Sequence, residues 1–118
     1  MQYMLLIYHQ ENAQAGMNND DAQALMAGYW AFGDEAMKKG VLKGGEGLHP
    51  TSAATTVRVR DSKTLTTDGP FAETKEQLGG YYIIECSNLD EAIQWAAKIP
   101  DVKYGSVEIR PVMAFERS

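Results

Sequence analysis

The sequence predicts an α+β domain of the ferredoxin-like split βαβ plait. Apolar patterning runs strand, helix, several strands, helix, strand along the chain. Two helices and roughly four main strands in that order make this plait, with both helices on one face of an antiparallel sheet. The length of 118 residues suits one ordinary domain, so residues 1–118 are read as a single unit. A third observation concerns assembly. Met4, Leu5, Leu6 and Ile7 are apolar in succession, as are Tyr81, Tyr82, Ile83 and Ile84, although a sheet with one wet face alternates. Two helices shelter one face only. Each Leu or Ile left in water forgoes roughly 1.5–3 kcal/mol. The second face is therefore expected to pack on a second copy, giving a homodimer in the form of a dimeric α+β barrel with a pocket between its sheets.

The first strand is predicted over Tyr3 to Tyr8, ending in polar Gln10, Glu11 and Asn12. Residues 9 to 19 hold Gln14, Gly16, Asn18 and Asn19 and read as a loop. Asn19 or Asp20 is placed as the N-cap of a helix carrying Ala22, Leu25, Met26, Tyr29, Phe32 and Ala36 at helical spacing. Lys38, Lys39 and Gly40 end it. Val41 to Leu48 is an irregular strand, because Gly44, Gly45 and Gly47 suggest a bulge or a close backbone approach. Thr55 to Arg60 alternates with period two, Asp61-Ser62-Lys63 turns, and Thr64 to Thr67 is its hairpin partner. Asp68-Gly69-Pro70-Phe71 is turn chemistry, followed by a charged loop or helical turn over Ala72 to Gln77. Gly79-Gly80 releases the chain into a strand over Tyr81 to Cys86. Asn88 with Glu91 resembles a capping box opening a helix with Leu89, Ala92, Ile93, Ala96 and Ile99 on its apolar stripe, stopped by Pro100. Val107 to Arg110, extended through Pro111 to Phe115, is the final strand and belongs at an edge.

Composition removes several classes. The net charge of −5 opposes sequence-independent nucleic-acid binding. The lone Cys86 excludes an internal disulfide and a cysteine zinc cage. No apolar run approaches the ~18 residues of a membrane span, and the N-terminus lacks a basic leader, so a cytoplasmic protein without membrane association is expected. No phosphate loop, nucleophile elbow or HExxH motif is present, and neither a cofactor nor a metal is predicted.

The run Asp68-Gly69-Pro70-Phe71-Ala72-Glu73-Thr74-Lys75-Glu76-Gln77-Leu78-Gly79-Gly80-Tyr81-Tyr82 resembles the DGPF subgroup of the YCII-related family. The likeness extends to Tyr3–Tyr8, Gly45–Leu48, Asp90–Ile93 and Val107–Val112, nearly the whole chain. It implies a dimeric α+β barrel of ferredoxin-like protomers, and a link to transcription through a sigma-factor partner. Members nearer the founding type are proposed enzymes pairing a histidine on the first helix with an aspartate after the second, and one relative is a dehydrochlorinase. Here that helix has no histidine; Tyr29 and Trp30 occupy the stretch, and Asp101 after Pro100 corresponds to the aspartate without its pair.

Candidate chemistry gathers where polar groups cluster. Asp68, Glu73, Lys75 and Glu76 form an acid–base cluster or a polar ligand site, or else turn and interface structure. Glu46 between glycines is a second candidate acid, or a solvated residue of a bulge. Arg58 and Arg110 are candidate clamps for an anionic ligand, or pair across strands with groups such as Glu108. Tyr29, Trp30 and Trp95 line a pocket or pack the core, and Cys86 reads as a small hydrophobe. His9 and His49 read as solvated strand-end histidines rather than metal ligands. Two functions follow. The first is a small-molecule-binding or regulatory module. The second is a lyase or isomerase with Asp68, Glu73 or Glu46 as acid–base groups and Arg58, Arg110, Lys75, Tyr29 and Trp30 around the ligand.

Overall fold

The computed structural model describes residues 1–115. Four strands form one antiparallel sheet: β1 (Gln2–His9), β2 (Leu42–Gly47), β5 (Gln77–Glu85) and β6 (Ser106–Pro111), in the order β2-β5-β1-β6. That order, with helices between β1 and β2 and between β5 and β6, is the predicted ferredoxin-like plait. β6 lies at an edge, where Pro111 forgoes no ladder bond within the sheet, and it ends at Pro111 rather than continuing to Phe115. β5 begins at Gln77, so the Gly79-Gly80 pair sits inside the strand rather than before it. Between Ile7 and Tyr8 the β1–β5 register slips: Ile7 opposes Gly80, Tyr8 opposes Leu78, and Gly79 is left as a bulge.

Three helices accompany the sheet. The segment expected as a loop contains a five-residue helix, α1 (Glu11–Ala15). The long helix α2 (Asn19–Lys38) is capped one residue earlier than expected, by Asn18, whose side chain accepts from the Asp21 amide. α3 (Leu89–Ala96) is capped by Asn88, and the Glu91 carboxylate accepts from the Ser87 amide. Pro100 then opens a short 3₁₀ turn over Pro100–Lys103. The core lies between α2, α3 and one sheet face: Tyr3, Leu5, Ile7 and Ile84 below, Phe32, Ala36, Ala92, Ala96 and Ile99 above. Phe32 stacks at a tilt on Tyr82, ring centroids 4.7 Å apart, and meets Trp95 edge-on at 6.0 Å. On the other face Met4, Leu6, Tyr8, Tyr81 and Ile83 are only partly buried, as the apolar runs implied.

The remaining strands, β3 (Thr55–Arg60) and β4 (Lys63–Asp68), form a separate two-stranded sheet. Asp61 and Ser62 between them both take positive φ, 52° and 62°, the tight hairpin turn whose twist suits paired strands. This hairpin leaves Val57, Val59 and Leu65 exposed. It helps stretch the radius of gyration to 16.5 Å, against about 13.5 Å for a compact domain of this length. No helix among the described residues is long and apolar enough to cross a membrane.

Candidate functional site

Glycines open the site. β2 and β5 present Gly45, Gly47, Gly79 and Gly80 beneath the N-terminal half of α2; the space over Gly47 is open, whereas a β-carbon on Gly45, Gly79 or Gly80 would strike Tyr82, His9 or the β2 backbone. Farther along, Phe32 and Ala36 bring α2 down onto the sheet. The wedge between is a cavity of about 750 Å³, roofed by Leu25, Met26, Tyr29 and Trp30 and bounded at one end by α1. That size suits a drug-sized molecule. Glu11 ties the mouth together. Its carboxylate accepts from both the amide and the hydroxyl of Thr51, each at 2.8 Å, and its own amide donates to Gln77 Oε1 at 3.0 Å.

At the closed end lies a buried polar cluster built from β1, α1, α2 and the turn after Pro100. Asp101 is 3% exposed. Its Oδ1 accepts from Gln14 Nε2 at 2.7 Å and its Oδ2 from the Tyr29 hydroxyl. His9 Nδ1 stands 3.9 Å from Oδ2 and has no hydrogen-bond partner, although it is buried. Such an orphaned nitrogen is unusual enough to need a reason. Burial, reinforced by the hydrogen bond to Asp101 and its negative charge, pushes the Tyr29 phenol far above its ordinary range; burial alone raises Tyr82. Tyr29 therefore serves Asp101 as a neutral donor.

Local sequence explains the convergence. The Gly79 bulge clears room for the His9 imidazole, which a β-carbon at that position would strike. Gly28 lets Pro100 press against α2, bringing Asp101 to the turn that carries Tyr29. Gly105 lies against the backbone of Tyr8 and His9 as the chain enters β6.

Of the residues singled out from sequence, Tyr29 and Trp30 line this cavity, and Glu46 borders it while its side chain shares the opposite sheet face with Tyr81. Asp68, Glu73 and Lys75 are exposed and do not line it. Arg58 donates to the Phe71 carbonyl at 3.3 Å, and Arg110 is exposed on the far sheet face opposite Met4. β3 and β6 lie in different sheets, so the arginines of one cannot pair in register with Glu108 of the other. Two readings are corrected. His9 is not a solvated strand end, since its side chain is 14% exposed. Asp101 does not lack a histidine: the partner comes from the end of β1 rather than from the long helix. Gln14 and Glu11 were not singled out as site residues; their signal was a short helix hidden in a polar stretch. Among the described residues, no three His, Cys, Asp or Glu side chains converge to hold a metal ion.

The fold and the cluster together define a ferredoxin-like α+β domain with a helix-side cavity ending in a buried histidine–aspartate pair. The YCII-related domain family matches residues 1–116, and the chain belongs to that family. It is also 36% identical over 118 residues to an uncharacterised protein of Rhizobium meliloti (strain 1021), covering 98% of this chain and 95% of the other.

Proposed function

We propose that this protein binds a small organic molecule in the helix-side cavity, and that His9, backed by Asp101, exchanges a proton with it. One observation carries the reading: a buried imidazole nitrogen without a partner, 3.9 Å from a buried carboxylate, on the wall of a cavity. A carboxylate beside Nδ1 orients the ring and stabilises its protonated form, leaving Nε2 to take or return the ligand's proton. Such pairs are often long without ligand and shorten when it binds. Tyr29 and Gln14 hold Asp101 from its other sides. The reaction classes that need no more than this are proton abstraction and return, as in an isomerase, and proton abstraction with a leaving group departing from the neighbouring carbon with its electron pair, as in a lyase. In this reading Asp68, Glu73 and Lys75 are not catalytic. They belong to the segment by which we group the chain with the DGPF-type members.

The test is incubation in deuterated water with a pooled metabolite set, read by mass spectrometry. Solvent deuterium or turnover in one component, lost in His9→Ala and reduced at least about tenfold in Asp101→Asn, is the expected result. A bound component that neither exchanges nor reacts would make the cavity a plain receptor site and remove the acid–base role. A regulatory role beside a sigma factor draws on family resemblance alone, and no residue of the cavity argues for it.

We further propose a homodimer. The support is the partly exposed apolar face of Met4, Leu6, Tyr8, Tyr81 and Ile83, together with Val57 and Val59 exposed on one face of the hairpin. A two-stranded hairpin is marginal in water unless something packs on it. A second copy supplies that cover most simply.

A further inference from the structure

We propose that the cavity selects an uncharged, mainly apolar molecule with a single polar end, and turns away carboxylates and phosphates. This rests on the reading above for the location of the site. Most of the wall is aliphatic or aromatic, Ile7, Met17, Leu25, Trp30 and Tyr82 among its residues. The ionisable side chains on its helix side are His9, Glu11, Tyr29, Tyr82 and Asp101, since Glu46 and Tyr81 pair on the opposite sheet face, and among the described residues no lysine or arginine lines it. An anion entering here would lose its water and meet acidic groups instead of a guanidinium or ammonium, which strongly disfavours its burial.

A cation fares little better, because the acids at depth are engaged. Both oxygens of Glu11 are held by Thr51, and those of Asp101 by Gln14 and Tyr29. Glu46 is exposed. An uncharged ligand avoids both difficulties. Its apolar body fills the open space over Gly47, and its polar end meets Nε2 of His9, whose Nδ1 faces Asp101 without a hydrogen bond. The selection is opposite to the anion clamp that Arg58 and Arg110 suggested, since neither lines the cavity.

Three probes sharing one ring system separate the cases: naphthol, naphthoate and naphthylmethylammonium, titrated calorimetrically at neutral pH into the intact chain. The uncharged naphthol is expected to bind at least about tenfold tighter than either charged probe. Gly47→Leu locates the binding. Nothing lies within 4 Å of where a β-carbon on Gly47 would sit, so the new side chain fills the cavity without displacing a neighbour; Leu25→Trp fills it from the roof. Both variants should weaken naphthol by more than about tenfold. Tighter binding of naphthoate or of the ammonium probe, abolished by the fillers, overturns the charge selection while leaving the site in place. Naphthol binding that neither filler disturbs overturns both the selection and the location. No naphthol binding up to its solubility overturns the selection.

Discussion

Pro100 presses on α2 at Gly28 so closely that a β-carbon on the glycine would lie 2.8 Å from the proline Cγ. The proline ring cannot swing aside as a flexible side chain would. This approach sets the distance between Tyr29 on the helix and Asp101 after the proline, and so the polar end of the cavity.

Gly28→Ala should therefore destabilise the protein. Overpacking costs about 1–3 kcal/mol, of which helix propensity returns roughly 1 kcal/mol. Gly33→Ala on the same helix meets nothing within 4 Å, and should stabilise by up to about 1 kcal/mol. Opposite shifts in the denaturant midpoints of the two variants are the expected outcome. A stabilised Gly28→Ala would remove the contact from the account.

Gly79→Ala should displace the His9 ring, since the added methyl overlaps the imidazole. Nuclear magnetic resonance of the two histidines reads this directly. The ring resonances of His9 should move, while those of exposed His49 stay in place. Naphthol binding should weaken in parallel.

Tyr29 makes alkaline stability informative. The folded chain holds its phenolic proton far more tightly than the unfolded chain, where the ordinary value is 10.0. Its contribution is intact below that value and is lost progressively as pH rises above it toward the raised folded value. Tyr29→Phe removes a hydrogen bond to a buried carboxylate and should cost about 1.5–3 kcal/mol at neutral pH. Above about pH 10, however, its stability should fall less steeply than that of the parent. Chemical denaturation at a series of alkaline pH values checks both statements.

Val57 and Val59 are each 59% exposed on the hairpin. Replacing both by Glu should leave the stability of one copy within about 0.5 kcal/mol, but should abolish self-association. Sedimentation velocity distinguishes the outcomes. A dimer that survives would mean that the hairpin is not its contact.

The plait was legible because its signals are local. The apolar run from Tyr3 to Tyr8 stops at polar Gln10, Glu11 and Asn12, and Asn88 with Glu91 marks the start of α3 within four residues. The hairpin turn at Asp61-Ser62 was equally plain. α1 was not, because five residues with no capping side chain and no buried face leave no periodicity to read. The candidate site was legible only in part. Tyr29 and Trp30 were singled out and do line the cavity, whereas Glu46 turns its side chain to the other sheet face and the conspicuous cluster around Asp68 to Glu76 does not line it. Density of charge in sequence reported a solvated segment.

By itself the sequence determined the order and type of the principal elements and sheet strands apolar on both faces, because side-chain period and turn chemistry act between near neighbours. Only the tertiary structure decided that His9, Gln14, Tyr29 and Asp101 meet. Their meeting depends on a one-residue bulge at Gly79 and on the close approach of Pro100 to Gly28. Those displacements are set by packing between distant segments, and no pattern along the chain encodes a distance of that kind.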